Sequence, residues 1–268
     1  MNMKAMRTLR AGPDTFASSK AYVVIEQLRQ RLLTLQRMSG IKDGPGTLPL
    51  GIAAIDTALG GGFMRGALHE IAAPGESHFT AAAGFALGLT VLSAPSPRLF
   101  WIAEDMALTE SGAPHGAGLD AFGLAPERLV TVSTAHRRDL LWAMEEALRC
   151  RTINTVIGEM RAGGIDGVAV RRLSLAAAKN GALALLLRAA PPIDASTAAT
   201  RWIVGAAPSA IVHGPGASRF AAQLVRNRRG PTGSWILEWS DRNERFTLAT
   251  HAQPVAAPAL DRSHRQVA

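Results

Sequence analysis

Apolar and charged residues separate into two faces over residues 20–38. The apolar positions follow one another at intervals of four and three, which places them along one side of a helix. They are Ala21, Ile25, Leu28, Leu32 and Leu35. The glycine-rich residues 40–46 interrupt the pattern and predict a linker. Such a detached helix docks on another subunit or a partner through Ile25, Leu28 and Leu32, or it folds back on its own core. Both alternatives stay open.

From residue 48 onward, short apolar runs alternate with helix-like segments. Residues 98–103 are an example, because a nearly continuous apolar run is typical of a strand that is covered on both faces. The predicted strands are residues 67–72, 98–103, 129–132, 155–157 and 182–187, and the predicted helices are residues 77–92, 138–150 and 168–179. The alternation predicts an α/β core with a mostly parallel central sheet.

The pattern changes in the C-terminal part of the chain. Glycine and proline turns separate four further predicted strands, at residues 201–206, 220–225, 234–239 and 245–249. They predict an antiparallel extension of the sheet. We therefore expect an N-terminal helix and linker over residues 1–46, a core over residues 47–250 and a disordered basic tail over residues 251–268.

The composition fits a folded protein that works with acidic partners. Of the 268 residues, 47% are hydrophobic and 19% are charged, which favours a packed core over a disordered chain. The formal net charge of +8 favours nucleic acid or the acidic face of another protein as the partner. A basic surface without a specific use is the alternative.

The single cysteine and the short apolar segments predict a cytoplasmic protein. Cys150 excludes an internal disulfide and suits a reducing compartment. Its helix-like surroundings predict a small buried side chain and not a catalytic thiol. Residues 79–91, the most apolar window, are too short to span a membrane, and residues 1–10 lack the apolar run of a signal peptide.

Residues 70–80 have the context of a phosphate-binding loop between a strand and a helix. In such a loop, backbone N–H groups and the helix dipole hold the phosphates, and a lysine reaches the terminal ones. Here Ala73 replaces the first glycine of the pattern, His78 the second, and Phe79 the lysine. The other positions of this degenerate loop are Pro74, Gly75, Glu76, Ser77 and Thr80, of which Thr80 is the one that would contact magnesium.

The missing lysine predicts that the protein is not an ATPase. Phe79 places an apolar ring where a cation would face several negative charges, and losing one preorganised electrostatic donor costs about 3 kcal/mol in the transition state. His78 adds a side chain where the backbone must wrap closely around phosphate. We expect no cofactor and no metal, although residual nucleotide binding stays open. The simplest interpretation is an ordinary strand-to-helix turn at Pro74 and Gly75.

The order of these features resembles RecA over nearly the whole chain. Residues 50–71 are similar to the segment that leads a RecA-type core into its first central strand. The helix at residues 20–38 matches in position the one that RecA packs on its neighbour. Recombinase-like filaments on DNA are not expected, however, because the two loops that read DNA shrink here to residues 161–167 and 189–199. The glutamine that links ATP to DNA is also replaced, near residues 187–188.

The RecA resemblance assigns two carboxylates to the former ATPase site. Residues 100–108 are similar to the strand end that carries the water-activating glutamate, which would be Glu104. Residues 155–159 occupy the Walker B place, with Glu159 where an aspartate is usual. Without the lysine, both carboxylates are interpreted as relics, or as strand-end groups that hold loops.

The C-terminal strands resemble more specifically the ImuA family, inducible-mutagenesis proteins related to RecA and to SulA. The residues that carry this resemblance are 201–202, 206–209, 224–235 and 237–239. The resemblance implies a role in the SOS response to DNA damage, in error-prone translesion synthesis. It implies an ImuB-like Y-family polymerase homologue as a partner, and indirectly an error-prone DNA polymerase.

Arg226, Arg228 and Arg229 form a basic cluster at a predicted turn, and they are the candidate interaction residues. Alternate strand residues share a face, so Arg226 and Arg228 are expected to lie side by side. In the RecA resemblance this pair resembles cations that reach a neighbouring subunit's phosphates, which implies RecA as a second partner. Weak phosphate contact with DNA and an unused charge cluster are the alternatives.

The leading interpretation is a non-catalytic accessory protein of translesion synthesis. A diverged ATPase that recruits its missing cation from a partner is the alternative from the enzyme class. A SulA-like inhibitor of cell division, acting on the tubulin-like division protein, is the third. The tryptophans of the C-terminal strands could stack on bases, but they are predicted to lie in the core. They are Trp202, Trp235 and Trp239.

Overall fold

The structure is a computed structural model that describes residues 46–161, 164–191, 197–209 and 216–249. The predicted helix at residues 20–38, most of its linker and the predicted tail lie outside the described residues. Parts of the two short loops, residues 162–163 and 192–196, also lie outside them. The expectations for these segments stay predictions.

A sheet of nine strands forms the centre of the described structure, in the order β11-β10-β9-β8-β3-β7-β6-β4-β5. The strands from β5 to β8 in this order run parallel, and β9, β10 and β11 continue the sheet in antiparallel pairs. The strands are β3 (Ala67–Ala72), β4 (Leu99–Glu104), β5 (Leu129–Thr134), β6 (Thr155–Met160), β7 (Leu183–Arg188), β8 (Thr200–Ala206), β9 (Arg219–Asn227), β10 (Gly233–Ser240) and β11 (Arg245–Leu248). A two-stranded ribbon pairs β1 (Thr47–Leu48) with β2 (Phe63–Met64).

Helices cover both faces of the parallel part of the sheet. One face packs against α2 and the other against α5 and α6, as two hydrophobic clusters show. The helices are α1 (Ala53–Ala58), α2 (Phe79–Ser93), α3 (Asp105–Ser111), α4 (Gly116–Asp120), α5 (Arg137–Leu148) and α6 (Gly167–Asn180), with 3-10 turns at Glu76–His78 and Pro126–Arg128. The predicted α/β architecture with an antiparallel extension is confirmed.

Two aromatic rings, one of them from β11, pack directly against glycines of helix α2. A Cβ added to Gly88 would lie 2.4 Å from Cζ of Phe246, and one added to Gly84 would lie 2.9 Å from Cζ of Phe122. Only a residue without a side chain allows this approach. Gly88 therefore allows β11 of the antiparallel extension to pack closely on the core.

Aromatic side chains fill the space between α2 and the extension. The rings of Phe63 and Trp202 stack at 5.3 Å, and those of Trp239 and Phe246 meet edge to face at 4.9 Å. Trp202 and Trp239 are buried, and Trp235 is half-buried against Trp202. The prediction that these tryptophans belong to the core is confirmed for the two buried ones.

Two local expectations are wrong. The helix predicted to include Cys150 ends at Leu148, and the thiol is exposed. The strand predicted over residues 155–157 continues to Met160, so that Glu159 lies inside the sheet. Among the described residues, no helix has the length and the apolar character needed to cross a membrane.

Candidate functional site

The degenerate phosphate loop forms a tight connection between β3 and α2. The Ala73 N–H donates to the Arg188 carbonyl at 2.9 Å, and the His78 N–H donates to the Gly75 carbonyl at 3.0 Å. The second bond closes the 3-10 turn, so this backbone N–H points into the turn and not toward a ligand. The geometry is that of a short strand-to-helix turn.

The His78 ring connects this loop to the end of β8. Its Nδ1 accepts a hydrogen bond from the Ala206 N–H at 3.1 Å. A Cβ added to Gly205 would lie 3.2 Å from Nδ1 of His78 and 3.2 Å from Cγ of Pro74. The residue that replaces the second glycine of the pattern therefore fixes the loop on the neighbouring strand.

Phe79 turns its side chain into the core at the first position of α2. The ring is 6% exposed, and the guanidinium carbon of Arg161 lies 4.9 Å from the ring centroid. A cation at this distance from an aromatic face contributes about 0.5–2 kcal/mol. Phe79 is thus part of the core, and the cation of Arg161 approaches its ring from the end of β6.

Arg161 is engaged with α3. Its Nε lies 3.1 Å from Oε2 of Glu110, close enough for an ion pair although not aligned for a hydrogen bond. Its guanidinium also donates to the Ala107 carbonyl at 3.5 Å and to the Ser111 hydroxyl. These contacts hold the guanidinium above Phe79.

Glu104 is the last residue of β4, which lies between β5 and β6 in the sheet. Its Oε1 is 3.4 Å from Nε of Arg137, and its Oε2 accepts a hydrogen bond from the Arg161 N–H at 3.4 Å. The carboxylate is paired with a cation on one side and a backbone donor on the other. Both contacts support a role in holding loop ends together.

Glu159 is buried in β6, where a hydrogen bond from Trp101 and the charge of Arg161 favour its charged form. Its side chain accepts a hydrogen bond from Nε1 of Trp101 at 2.8 Å, and its Oε1 has no hydrogen-bond partner within the described part of the chain. Burial raises the pKa of this carboxyl, and the Trp101 hydrogen bond only partly opposes the shift. The charged form of Glu159 is therefore less favoured than that of an exposed glutamate.

The remaining loop positions face solvent. Pro74, Glu76, Ser77 and Thr80 are exposed, and Gly75 is half-buried. Within the described ranges, no group of three or more His, Cys, Asp or Glu side chains is placed to hold a metal ion.

A buried ion pair that the sequence did not indicate lies beside this loop. Glu70 in β3 is fully buried, and its Oε2 lies 2.5 Å from Nε of Arg201 in β8. The two residues are 131 positions apart and meet because β3 and β8 pair in that register. Arg201 in turn lies opposite Arg226 in β9.

The arginine cluster is anchored to its surroundings on both sides. Arg226 is half-buried inside β9, since the strand continues to Asn227, so its predicted place in the turn is wrong. Arg228 and Arg229 are exposed, and their guanidinium groups donate at 3.1 Å to the carbonyls of Thr197 and Gly60, respectively. Nitrogens of each guanidinium remain for other contacts, because Arg has five N–H donors.

The fold has a counterpart among solved structures. The crystal structure of the RadB recombinase matches this chain with a TM-score of 0.50 and 18% sequence identity, over 73% of this chain and 97% of that one. The fold is RecA-like.

Two curated relatives found by sequence comparison carry the same name. The chain is 28% identical over 218 residues to "Protein ImuA" of Caulobacter vibrioides strain NA1000 / CB15N, a match that covers 75% of this chain and 86% of the relative. Protein ImuA of strain ATCC 19089 / CIP 103742 / CB 15 matches equally. No protein-family model matches the chain. The similarity to ImuA supports the resemblance seen in the C-terminal strands.

Proposed function

We propose that this protein is a member of the ImuA family that acts as a non-catalytic accessory factor in DNA-damage-induced, error-prone translesion synthesis. The observation that carries the non-catalytic part is the position of Phe79, whose ring is buried where a nucleotide-binding lysine would extend. The similarity to Protein ImuA along 218 residues supports the biological role.

Several contacts favour docking over catalysis. His78 closes the loop onto β8 and Glu159 sits in a site that disfavours its charge. A RecA-like body without a working phosphate loop still offers surfaces to a Y-family polymerase homologue and to RecA. The proposed contacts are the arginine cluster (Arg226, Arg228 and Arg229) and the apolar positions Ile25, Leu28 and Leu32.

A mutagenesis assay tests this function in cells that lack the protein. The wild-type chain should restore damage-induced mutagenesis, and so should Thr80→Ala. Thr80 is exposed, so this change removes the expected magnesium ligand at little cost in stability. Failure of wild type to restore mutagenesis would refute the biological role.

The alternative of a diverged ATPase rests on one observation: Arg161 places a cation beside the former lysine position, near Glu104. Turnover of radiolabelled ATP, measured on the full chain alone and with its partner, separates the two functions. If Thr80→Ala or Glu104→Gln abolishes both turnover and mutagenesis while protein levels stay normal, the ATPase alternative is correct.

A further inference from the structure

The turn between β9 and β10 carries the two exposed members of the arginine cluster. Arg228 and Arg229 directly follow Asn227, the last residue of β9, and β10 begins at Gly233. We call residues 227–231 the arginine turn. Surface loops are usually more mobile than the strands they connect. This turn, however, is held by side-chain hydrogen bonds, several of which involve Asn227.

The side-chain amide of Asn227 makes three hydrogen bonds. Its Nδ2 donates to the Ala58 carbonyl at 2.8 Å and to the Pro231 carbonyl at 3.0 Å. Its Oδ1 accepts a hydrogen bond from the Arg229 N–H at 3.0 Å. Both N–H donors of the amide are therefore used. The bonds to Arg229 and Pro231 define the shape of the arginine turn, and the bond to Ala58 joins it to the C-terminal end of α1.

The arginine turn packs directly on this end of α1. A Cβ added to Gly230 would lie 2.3 Å from the carbonyl oxygen of Ala58, a distance that real Cβ atoms essentially never show. Nη2 of Arg229 donates to the Gly60 carbonyl, just beyond the helix, at 3.1 Å. Carbonyl groups at a helix C-terminus carry partial negative charge, which favours a cation there. Arg229 thus projects from a turn that has little freedom to move.

Arg228 is held by the segment that precedes β8. Its backbone N–H donates to the Ala199 carbonyl and its Nη1 to the Thr197 carbonyl, each at 3.1 Å. Neither the Arg228 nor the Arg229 guanidinium forms an ion pair within the ranges that the structure describes. Their positive charge therefore remains available to an anionic group of a partner.

We propose that Asn227 is a positioning residue for the arginine cluster. By fixing the arginine turn on α1, it presents the guanidinium groups of Arg228 and Arg229 to anionic groups of a partner. This inference rests on the proposed docking role of the arginine cluster. Arginine side chains have high rotamer entropy, so ordering them before binding improves affinity. Because both of its N–H groups are used within the chain, Asn227 acts through its neighbours and not by donating to the partner.

Partner binding by charge-neutral variants tests this proposal. RecA and the ImuB-type partner are immobilised in turn, and binding of the full chain is measured by biolayer interferometry. Asn227→Ala leaves the net charge unchanged and should weaken binding about fivefold to tenfold, since the two arginines must then be ordered on binding. Asn243→Ala is the matched control. Asn243 lies in the β10–β11 turn, where its Nδ2 donates to the Ser240 hydroxyl at 3.2 Å, and its loss should leave binding unchanged.

A double-mutant cycle separates positioning from a general effect on stability. Adding Asn227→Ala to a variant with Arg228→Ala and Arg229→Ala should have no further effect on binding, because the groups that Asn227 positions are gone. A general effect would reduce binding by the same factor in both backgrounds. Thermal melts check that the variants fold. If Asn227→Ala does not fold, Gly230→Ala decides, since its methyl group pushes the turn away from Ala58 and leaves Asn227 intact.

The outcomes distinguish this inference from the proposed function. If wild type binds neither partner, or if the Arg228→Ala and Arg229→Ala variant binds as well as wild type, the docking role of the arginine cluster is refuted, and the positioning role with it. If that variant loses binding but Asn227→Ala binds as well as wild type, only the positioning role is overturned. Equal weakening by Asn227→Ala in both backgrounds also overturns it.

Discussion

At the scale of single residues, three side chains of the candidate site each make a structural contact. Phe79 packs in the core, His78 accepts a hydrogen bond from β8, and Glu159 accepts one from Trp101. The replacements support one another, because the ring of Phe79 also provides the surface on which Arg161 rests. Reversing one of these replacements should therefore not produce ATP hydrolysis.

Phe79→Lys tests this directly. We expect no ATP turnover and a loss of about 3 kcal/mol or more in the free energy of unfolding, because a buried aromatic ring is lost and an ammonium group takes its place. Phe79→Leu is the matched control and should cost less, since it keeps an apolar side chain. Urea unfolding and a turnover assay measure the two effects. ATP hydrolysis by a stable Phe79→Lys protein would contradict the structural account.

His69 should make the stability of the protein depend on pH. Burial lowers the pKa of its ring to about 4, against 6.5 for an exposed histidine, and the neutral ring bonds to Thr200 and to the Met64 carbonyl. Since the unfolded chain binds a proton more readily, the stabilisation is fully present above about pH 6.5 and falls as the pH drops toward 4. The difference between the two pKa values corresponds to about 3 kcal/mol in the free energy of unfolding.

The measurement is a series of urea unfolding curves between pH 7.5 and pH 4.5, about the range of the two pKa values. His69→Gln should be less stable at neutral pH but should lose less stability on acidification than wild type. Equal slopes for the two proteins would show that His69 does not titrate in this way.

At the scale of elements, the order of strands and helices in the core could be predicted because the apolar runs and the glycine turns follow the periodicities of strands and helices. The end of β6 could not be predicted in this way, because the polar residue Glu159 interrupts the apolar run although its side chain is buried. The ion pair of Glu70 and Arg201 could not be predicted either, because it depends on the register between two strands that are far apart in sequence. Single-sequence patterns carry no information on such register.

The glycines of α2 offer a test at this scale. Gly88→Ala should destabilise the protein by about 1–3 kcal/mol, because the new methyl group overlaps the ring of Phe246. Gly118→Ala in α4 is the matched control: its Cβ meets no atom within 4 Å, so alanine should be neutral or stabilise by up to about 1 kcal/mol. Thermal unfolding distinguishes the two, and equal effects would contradict the close packing of α2.

At the scale of the whole molecule, the described structure offers one of the proposed docking surfaces, the arginine cluster of Arg226, Arg228 and Arg229. Arg228 and Arg229 donate hydrogen bonds to the carbonyls of Thr197 and Gly60, so these two guanidinium groups are held in place before a partner arrives. Preorganised groups lose less entropy on binding. This favours the arginine cluster as a docking surface.

Arg226→Ala combined with Arg228→Ala should abolish co-purification with RecA and with the ImuB-type partner. The control is Arg242→Ala combined with Arg245→Ala, which removes the same charge at exposed positions around the β10–β11 turn. A salt titration adds a second readout, since phosphate contacts weaken steeply with salt and apolar docking does not. Unchanged co-purification of both partners with the first double variant would exclude the arginine cluster as the docking surface.

The packing of Phe246 against Gly88 has a consequence for folding during translation. The slot in α2 is formed early in the sequence, but the ring that fills it belongs to the last strand of the sheet. A ribosome-bound chain therefore carries an unfilled apolar surface until nearly all of the core has been translated. Newly made protein should depend on chaperones late in synthesis. A premature stop within β9–β11 should lead to degradation of the shortened chain, and we expect no functional truncated protein.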